Sequence, residues 1–248
     1  MVFILTGMHR SGTSMFARFM NESGINMGSD FYFDDTSNKY GHFEDLDFLN
    51  LQRNELSHHF NEDDWLIYEK FIPSNDFDQK AGDLFKNKTE RNRTGHWGWK
   101  DPRTTLFLDY WHKLNPEIRF IFLVREPEAV VNSLCKLLKT RWSITEKTKY
   151  LKTYIHYNQE ILNFCKRNNR SKYIVVEHEQ LIENPRNVIP KINAATGFSF
   201  DAELFERLCD KNVISPRQFI PFIFHEHLLS DSRKAYQRLV NIFNSFAE

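Results

Sequence analysis

Eight residues near the start of the chain have the spacing of a phosphate-binding loop. Gly7-Met-His-Arg-Ser-Gly-Thr-Ser14 follows an apolar run and precedes a segment with helical character, and its glycines are spaced as in the pattern G-x-x-x-x-G-K-[ST]. The backbone N–H groups of such a loop point inward, and the N-terminus of the following helix adds partial positive charge, so the loop attracts anions. The predicted anion-binding residues are His9, Arg10, Ser11, Gly12, Thr13 and Ser14.

The loop lacks the lysine that a P-loop kinase places on the terminal phosphates. Thr13 occupies the lysine position, and a cation stands three residues earlier, at Arg10. A kinase also needs an acidic residue at a neighbouring strand end to hold magnesium, whereas the second long predicted strand is followed by Arg125. The pattern therefore favours another kind of anion site, and a tight strand-to-helix turn that happens to contain glycine is the alternative.

A second candidate anion site follows the predicted strand Ile118 to Val124. Arg125 stands at its end, Pro127 suits the first turn of a helix, and Ser133 lies eight residues after Arg125. A helix rises about 9 Å between Pro127 and Ser133, so an arginine that folds back along it can meet the serine hydroxyl at one phosphate. The alternative is a surface ion pair between Arg125 and a neighbouring glutamate. Together with the glycine loop, this pair predicts a nucleotide that carries two separate phosphate groups.

Three strand-loop-helix units position these residues. The predicted strands are Val2 to Thr6, Ile118 to Val124 and Tyr173 to Val176, and the helices that follow them are Thr13 to Asn21, Glu128 to Lys139 and a segment that opens at Pro185. Continuous apolar strands that alternate with helices predict an α/β fold with a central, mostly parallel sheet flanked by helices on both faces. The sequence between the units predicts helices Tyr40 to Leu56 and Phe77 to Arg91, a short strand Trp97 to Lys100, and a solvated loop Asn87 to Thr94.

Composition and charge limit the possible partners. The 248 residues are 41% hydrophobic and 27% charged, which is typical of a globular protein, and we expect a single domain over residues 1–248. Lys plus Arg (33) equals Asp plus Glu (33), so no global field draws the chain to nucleic acid. The first residues hold no basic leader and no apolar run long enough to span a membrane, and we therefore expect a cytoplasmic protein.

The cysteines and histidines do not form a metal-binding pattern. The three cysteines lie far apart, and neither His58-His59 nor His225-Glu226-His227 has the i, i+4 spacing of a helical zinc pair. Cys135 and Cys165 fall on predicted helices, where we expect them to pack as small apolar side chains. The sequence therefore predicts no catalytic metal.

The two anion motifs together resemble those of the sulfotransferases that use 3′-phosphoadenosine 5′-phosphosulfate (PAPS). Gly7 to Ser14 is similar to their 5′-phosphosulfate loop, in which the cation precedes Ser-Gly-Thr, and Arg125-x-Pro127 with Ser133 is similar to their 3′-phosphate motif. The resemblance covers about the first two thirds of the chain. It implies a three-layer, P-loop-like α/β fold, PAPS as donor, 3′,5′-adenosine bisphosphate (PAP) as product, and no catalytic metal.

Four residues are the main candidates for the chemistry that this resemblance implies. Arg10 and Lys100, with the loop amides, would meet the negative charge that grows on the departing 5′-phosphate. Glu44, in Gly41-His42-Phe43-Glu44, resembles the catalytic glutamate of several sulfotransferase branches, although it could equally be part of a charged face at a helix start. His42 is the second candidate for the base, because an imidazole titrates near neutral pH. Asp101 is the third, near the position of the catalytic histidine in the cytosolic branch.

The reaction that we expect is transfer of a sulfuryl group from PAPS to a hydroxyl, or an amine, of a small-molecule or carbohydrate acceptor. A P-loop kinase with a displaced cation and a catalytically silent nucleotide-binding module are the alternatives. The sequence does not specify the acceptor, because pocket-forming loops vary on such a scaffold. One aromatic set could line its pocket, although rings at such spacings more often form core: Trp65, Tyr68, Phe71, Phe219, Phe222 and Phe224.

Overall fold

The computed structural model describes residues 1–32, 41–62, 64–140, 143–209 and 225–246. The strands within these ranges are β1 (Val2–Thr6), β2 (Ile25–Asn26), β3 (His96–Lys100), β4 (Arg119–Val124) and β5 (Tyr173–Glu177). The helices are α1 (Thr13–Glu22), α2 (Leu46–Ser57), α3 (Asn75–Arg91), α4 (Leu108–Leu114), α5 (Pro127–Leu137), α6 (Ile144–Arg167), α7 (His178–Glu183), α8 (Pro185–Thr196), α9 (Ala202–Leu208) and α10 (Glu226–Asn244). Two 3₁₀ helices cover Pro102–Phe107 and Arg170–Lys172.

The strands form one sheet in the order β2-β3-β1-β4-β5, in which every neighbouring pair is parallel. The predicted α/β fold with a parallel central sheet flanked by helices is confirmed. The two-residue strand β2 is an addition that the sequence analysis did not predict. Because β1 pairs with both β3 and β4, the residues that follow these three strands emerge side by side at one edge of the sheet, where open α/β sheets bind their ligands.

Aromatic side chains fill much of the interior between the sheet and its helices. Phe48 of α2 stacks on Trp99 of β3 with ring centroids 4.0 Å apart, and Phe120 and Phe122 of β4 both contact Phe164 of α6. All five rings are buried. Burial of one phenylalanine side chain stabilises a fold by roughly 1.5–3 kcal/mol, so these contacts hold the strands firmly beneath the loops at their ends.

A hydroxyl at the end of β1 ties the central strand to the end of β3. Thr6 Oγ1 donates a hydrogen bond to the Asp101 carbonyl at 2.8 Å and lies 2.8 Å from Thr105 Oγ1. Gly98 allows the two backbones to approach, because a Cβ atom there would lie 2.3 Å from the Phe3 carbonyl oxygen. The positions of Lys100 and of the loop after β1 are therefore set by the same contacts.

The prediction of a helix from Tyr40 to Leu56 is wrong at its start. Tyr40 lies outside the described residues, and α2 begins only at Leu46. Gly41 and Phe43 adopt φ values of 74° and 53°, in the left-handed region, which interrupts any helix. Asp45 then caps α2 by accepting a hydrogen bond from the Asp47 amide at 3.1 Å. The segment before the cap is therefore irregular, and its residues His42 and Glu44 line the cleft described below.

The predicted solvated loop from Asn87 to Thr94 is also wrong in its first half. Helix α3 continues to Arg91, as the separate prediction for Phe77 to Arg91 required, and it begins at Asn75 because Ser74 caps it. Lys88, within this stretch, forms two ion pairs: its Nζ atom lies 2.7 Å from Asp45 Oδ2 and 2.8 Å from Asp47 Oδ2. These ion pairs connect α3 to the start of α2.

Candidate active site

The loop between β1 and α1 is pressed tightly against the neighbouring β4 and α7. Gly7 adopts a φ of 153°, and a Cβ atom there would lie 2.2 Å from the Leu123 carbonyl oxygen. Gly12 adopts a φ of 88°, and its Cβ atom would lie 2.4 Å from a ring carbon of His178. Both positions require glycine. Arg10 also has a positive φ, 69°, although it carries a side chain, and such outliers are concentrated at functional sites.

The N-terminus of α1 is available to an anion. Gly12 provides no side-chain cap, and the first turn contains no acidic residue, so the partial positive charge of the helix end is not neutralised locally. The buried hydroxyl of Ser11 has no hydrogen-bond partner among the described residues. A cleft of about 330 Å³ opens beside this helix end, and its walls include Arg10, Thr13, Ser14, Glu44, Lys100 and Arg103.

Arg125 and Ser133 both reach the loop through Arg10. The Tyr154 hydroxyl donates to the carbonyl of Arg125 at 2.7 Å, which fixes the backbone at the end of β4. Arg125 Nη1 donates to the carbonyl of Arg10 at 3.1 Å, and Arg10 Nε donates to the hydroxyl of Ser133 at 2.9 Å. Hydrogen bonds through Arg10 thus bring together the two motifs that were predicted as separate anion sites.

Two guanidinium groups crowd this part of the site. Burial lowers the pKa of Arg10, and the nearby charge of Arg125 lowers it further. Burial also lowers the pKa of Arg125, while Glu179, whose Oε1 lies 3.5 Å from Arg125 Nε, opposes that effect. The positive charges of Arg10 and Arg125 repel each other, so an anion bound between them would be stabilised by both charges.

Glu44, Lys100 and Arg103 form a buried charged cluster on another wall of the cleft. Lys100 Nζ lies 2.8 Å from Glu44 Oε1, and Arg103 Nη1 lies 3.5 Å from Glu44 Oε2. Burial alone would raise the pKa of Glu44, but the charges of Lys100 and Arg103 outweigh it and lower that pKa to about 2. Glu44 is therefore an ionised carboxylate at neutral pH, held directly beside two cations.

Separate elements position the members of this cluster. The backbone of Glu44 is held by the Tyr32 amide, which donates to its carbonyl at 2.8 Å, and by the helix cap at Asp45. Lys100 is the last residue of β3, and Arg103 lies in the first turn of the 3₁₀ helix that follows. Arg103 is not among the predicted site residues, although its place three residues after Lys100 is a usable signal in the sequence.

The other two candidates for the base differ in their access to the cleft. Asp101 is buried, its Oδ1 accepts from the amide and from Nη1 of Arg103 at 2.8 and 2.7 Å, and its Oδ2 accepts from Gln52 at 3.2 Å. Because both oxygens are occupied and Asp101 is only 1% exposed, its placement disfavours it as a base. His42 does line the cleft, and its ring contacts the ring of Tyr32 with centroids 5.1 Å apart.

A sequence model described as the sulfotransferase family matches residues 2–202 of the chain. This chain belongs to the sulfotransferase family. Over 107 residues it is 28% identical to the Caenorhabditis elegans protein "Putative protein-tyrosine sulfotransferase", a match that spans 42% of this chain and 41% of that relative. The chain thus covers less than half of the length of that curated relative.

Solved structures show the same fold. The sulfotransferase domain of the Synechococcus PCC 7002 olefin synthase is similar over 100% of this chain and 94% of that chain, with 19% identity and a TM-score of 0.56. A sulfotransferase from Alicyclobacillus acidocaldarius is similar over 99% of this chain and 98% of that chain, with 13% identity and a TM-score of 0.55. The parallel sheet and its flanking helices are therefore those of sulfotransferases.

The side chain of His9 in this sulfotransferase lies in the cleft wall. The residue is 7% exposed and lines the cleft, and its ring contacts Trp65 at 4.7 Å and Tyr157 at 5.7 Å. Burial, and then the charge of Arg103, lower its pKa well below the usual value, so the imidazole is neutral. The place of His9 in the loop predicts that it binds the donor, but its ring and its backbone can contact different partners.

The predicted aromatic pocket is represented by one residue in the described part of the chain. Trp65 lines the cleft, whereas Tyr68 is 37% exposed and is not among the cleft-lining residues. Phe71 packs against Phe60 and Phe107 at the edge of the core. Three further members of the predicted set lie outside the described residues: Phe219, Phe222 and Phe224.

The described ranges contain neither a cluster of metal-ligating side chains nor a helix that could span a membrane. Within them, no group of three or more His, Cys, Asp or Glu side chains lies close enough to hold a metal ion. None of the helices in those ranges is both long and apolar enough to cross a membrane. The charged side chains that line the described cleft are those of Arg10, Glu44, Arg53, Lys100 and Arg103.

Proposed function

We propose that this sulfotransferase moves a sulfuryl group from PAPS to a hydroxyl, or an amine, of a small-molecule or carbohydrate acceptor. One observation carries the proposal. Arg10 lines the cleft that contains the Glu44–Lys100 pair and also hydrogen-bonds to Ser133, while its carbonyl accepts from Arg125. The Glu44 carboxylate, which can accept a proton, therefore lies in the same cleft as Arg10, and Arg10 is hydrogen-bonded to the second anion-binding pair, Arg125 and Ser133.

The proposed donor site has two anion-binding parts. The loop amides, the uncapped N-terminus of α1 and the hydroxyls of Ser11, Thr13 and Ser14 would bind the 5′-phosphosulfate. Arg125 and Ser133 would bind the 3′-phosphate, with Arg10 between the two parts. Each charge-assisted hydrogen bond contributes roughly 1.5–3 kcal/mol when it is protected from water. A nucleotide without a 3′-phosphate would leave the second part unused.

The proposed transfer step uses Glu44 as the base. The acceptor hydroxyl gives its proton to the Glu44 carboxylate while its oxygen forms a bond to sulfur. The bond between sulfur and the 5′-phosphate oxygen breaks, and PAP departs with the electron pair. Lys100 and Arg10 stabilise the negative charge that develops on the departing phosphate, which matters because about 1.4 kcal/mol gained only in the transition state gives a tenfold rate increase.

Protonation of Glu44 and release of Lys100 are coupled in this scheme. With its pKa lowered to about 2, Glu44 is a weak base while Lys100 and Arg103 remain paired with it. A shift of Lys100 towards the donor anion weakens that pairing and raises the pKa of Glu44 at the moment when a proton must be accepted. Once Glu44 is protonated, the lysine charge is fully available to the leaving phosphate.

Differential stabilisation by nucleotides tests the donor. PAP at a hundred times its Kd should stabilise the folded chain by about 2.7 kcal/mol, and ADP at the same concentration should stabilise it less because it lacks the 3′-phosphate. Arg125→Ala should remove most of this difference. Arg186→Ala is the matched control, because Arg186 is an exposed arginine in a surface ion pair with Glu206. Equal shifts by PAP and ADP in the wild-type protein would refute PAPS as donor, and magnesium-dependent ATP turnover would favour a kinase.

An acceptor panel with ³⁵S-labelled PAPS tests the transfer. The panel should contain phenols, amino sugars and a tyrosine-containing peptide, since the name of the curated relative refers to protein tyrosine. Transfer to a panel member that is lost in Glu44→Gln, with PAP stabilisation retained, would support the assignment of the base. PAP binding without transfer to any acceptor would instead support a nucleotide-binding module.

A further inference from the structure

The imidazole of His9 contains a buried polar atom that no described residue satisfies, in a residue that lines the cleft. Its Nε2 atom is buried and has no hydrogen-bond partner among the described residues, although the residue lines the cleft. Its ring contacts the rings of Trp65 and Tyr157, with centroids 4.7 and 5.7 Å away. A buried polar atom without a partner destabilises the unliganded fold, so a ligand that bonds to it recovers that loss.

The surroundings of His9 determine which ligand suits it. Arg10, Lys100 and Arg103 lie close enough for their charges to lower the pKa of His9, after the larger effect of burial, while Glu44 opposes them. These three cations already suit the anionic donor. An uncharged imidazole adds little for an anion, but it can exchange a hydrogen bond with an uncharged hydroxyl.

We infer that His9 is an acceptor-binding residue, whose Nε2 atom hydrogen-bonds to the hydroxyl that is to be sulfated. This inference rests on the proposed function, because it assigns the acceptor end of the same cleft. The hydrogen bond holds the acceptor oxygen near Glu44, and the proton still passes to Glu44. His9 is a poor final proton acceptor, because an imidazolium would form beside three other cations. The bond to sulfur forms and the bond to phosphate breaks as in the proposed reaction.

The cleft wall around His9 indicates the kind of acceptor. Trp65 is only partly buried, and it lines the cleft together with the contacting rings of Tyr32 and His42. Ring faces of this kind pack against phenols and against the apolar faces of sugars. The acceptor class that fits is therefore a hydroxyl carried on a ring, and a linear alcohol should be a poorer substrate.

Two His9 variants separate hydrogen bonding from packing. His9→Phe keeps a ring against Trp65 and Tyr157 but removes both nitrogens, whereas His9→Asn keeps a polar group. His112→Phe is the matched control, since His112 packs on Phe120 and Phe164, away from the cleft-lining residues. We expect His9→Phe to bind PAP within about twofold of wild type and to lose at least about tenfold in acceptor kcat/KM. His9→Asn should recover part of that loss, and His112→Phe should match wild type.

The probes are 2-naphthol, N-acetylglucosamine and 1-pentanol, each with labelled PAPS. Unchanged acceptor kcat/KM in His9→Phe would overturn the inference, as would a loss confined to the KM for PAPS. Two results for the wild-type protein would overturn the assignment of a ring-borne hydroxyl as acceptor. One is a preference for 1-pentanol, and the other is turnover of none of the three probes by protein that still prefers PAP to ADP. A wild-type protein without PAP preference would instead refute the proposed function.

A second measurement does not depend on turnover. In ¹⁵N-histidine-labelled, PAP-bound protein, one imidazole resonance disappears in His9→Phe and so is assigned to His9. The ring-hydroxyl probe that is turned over should shift that resonance on titration. A resonance that stays unchanged while the probe is sulfated would overturn contact between His9 and the acceptor.

Discussion

The charge on Glu44 should stabilise the fold as well as the reaction, and Glu44→Gln tests this directly. The variant preserves the size of the side chain and removes its charge. Lys100, whose side chain is 2% exposed, then loses the carboxylate that lies 2.8 Å away, while Arg103 keeps Asp101 at 2.7 Å. The main effect is therefore a buried lysine without a charged partner.

The size of the effect follows from the pKa of Glu44. That pKa falls from an ordinary 4.5 to about 2 in the folded chain. This difference corresponds to about 3 kcal/mol of interaction favouring the ionised carboxylate. Removal of one partner from a buried ion pair costs roughly 3–5 kcal/mol, which agrees with that figure. We expect Glu44→Gln to lower the free energy of unfolding at pH 7 by about 3 kcal/mol.

Urea denaturation measures this loss, and a double-mutant cycle assigns it to the pair. With an m-value near 3 kcal/mol per M, the midpoint should fall by about 1 M. Lys100→Met should cost a similar amount, and the double variant should cost about as much as either single one, because neither charge is then left alone. Additive losses in the double variant would refute the proposed coupling of Glu44 and Lys100.

The pH dependence provides an independent check with a defined sign. Because folding lowers the pKa of Glu44, its contribution is fully present above about pH 4.5 and is lost as the pH falls towards 2. The stability of the wild-type protein should therefore approach that of Glu44→Gln across this acid range. A difference between the two proteins that is constant from pH 7 to pH 2 would contradict the low pKa.

Two further predictions concern the loop and the choice of base. Gly12→Ala should destabilise the fold and abolish thermal stabilisation by PAP, because the added Cβ atom would clash with the His178 ring. The control is Gly82→Ala in α3, where an added Cβ atom would meet nothing within 4 Å, and this variant should keep PAP binding in the same thermal assay. PAP stabilisation that survives in Gly12→Ala would count against the loop as the donor site. In single-turnover kinetics, His42→Ala should reduce transfer by less than about tenfold and Glu44→Gln by about 100-fold or more. The reverse order would make His42 the base.

Local patterns along the chain predicted most of the sheet and the tight loop after β1. The apolar runs that became β1, β4 and β5 differ from their predicted bounds by no more than one residue. The glycine spacing predicted a tight loop at the end of β1. The eight-residue offset between Arg125 and Ser133 predicted that the two side chains meet at one phosphate, and in the structure each of them hydrogen-bonds to Arg10. Such features depend on steric rules and helix geometry over a few residues, which the sequence states directly.

The arrangement of the proposed catalytic groups depended on tertiary structure. Glu44 and Lys100 are 56 residues apart in the chain, and they meet only because β3 pairs with β1 and because the segment before α2 lines the same cleft as the end of β3. The burial of Asp101 and the turn of the His9 ring into the cleft wall likewise depend on neighbours from other elements. Sequence spacing determines which residues share a turn or a strand end. Strand order and burial decide which distant charges meet, and those contacts then set the pKa values.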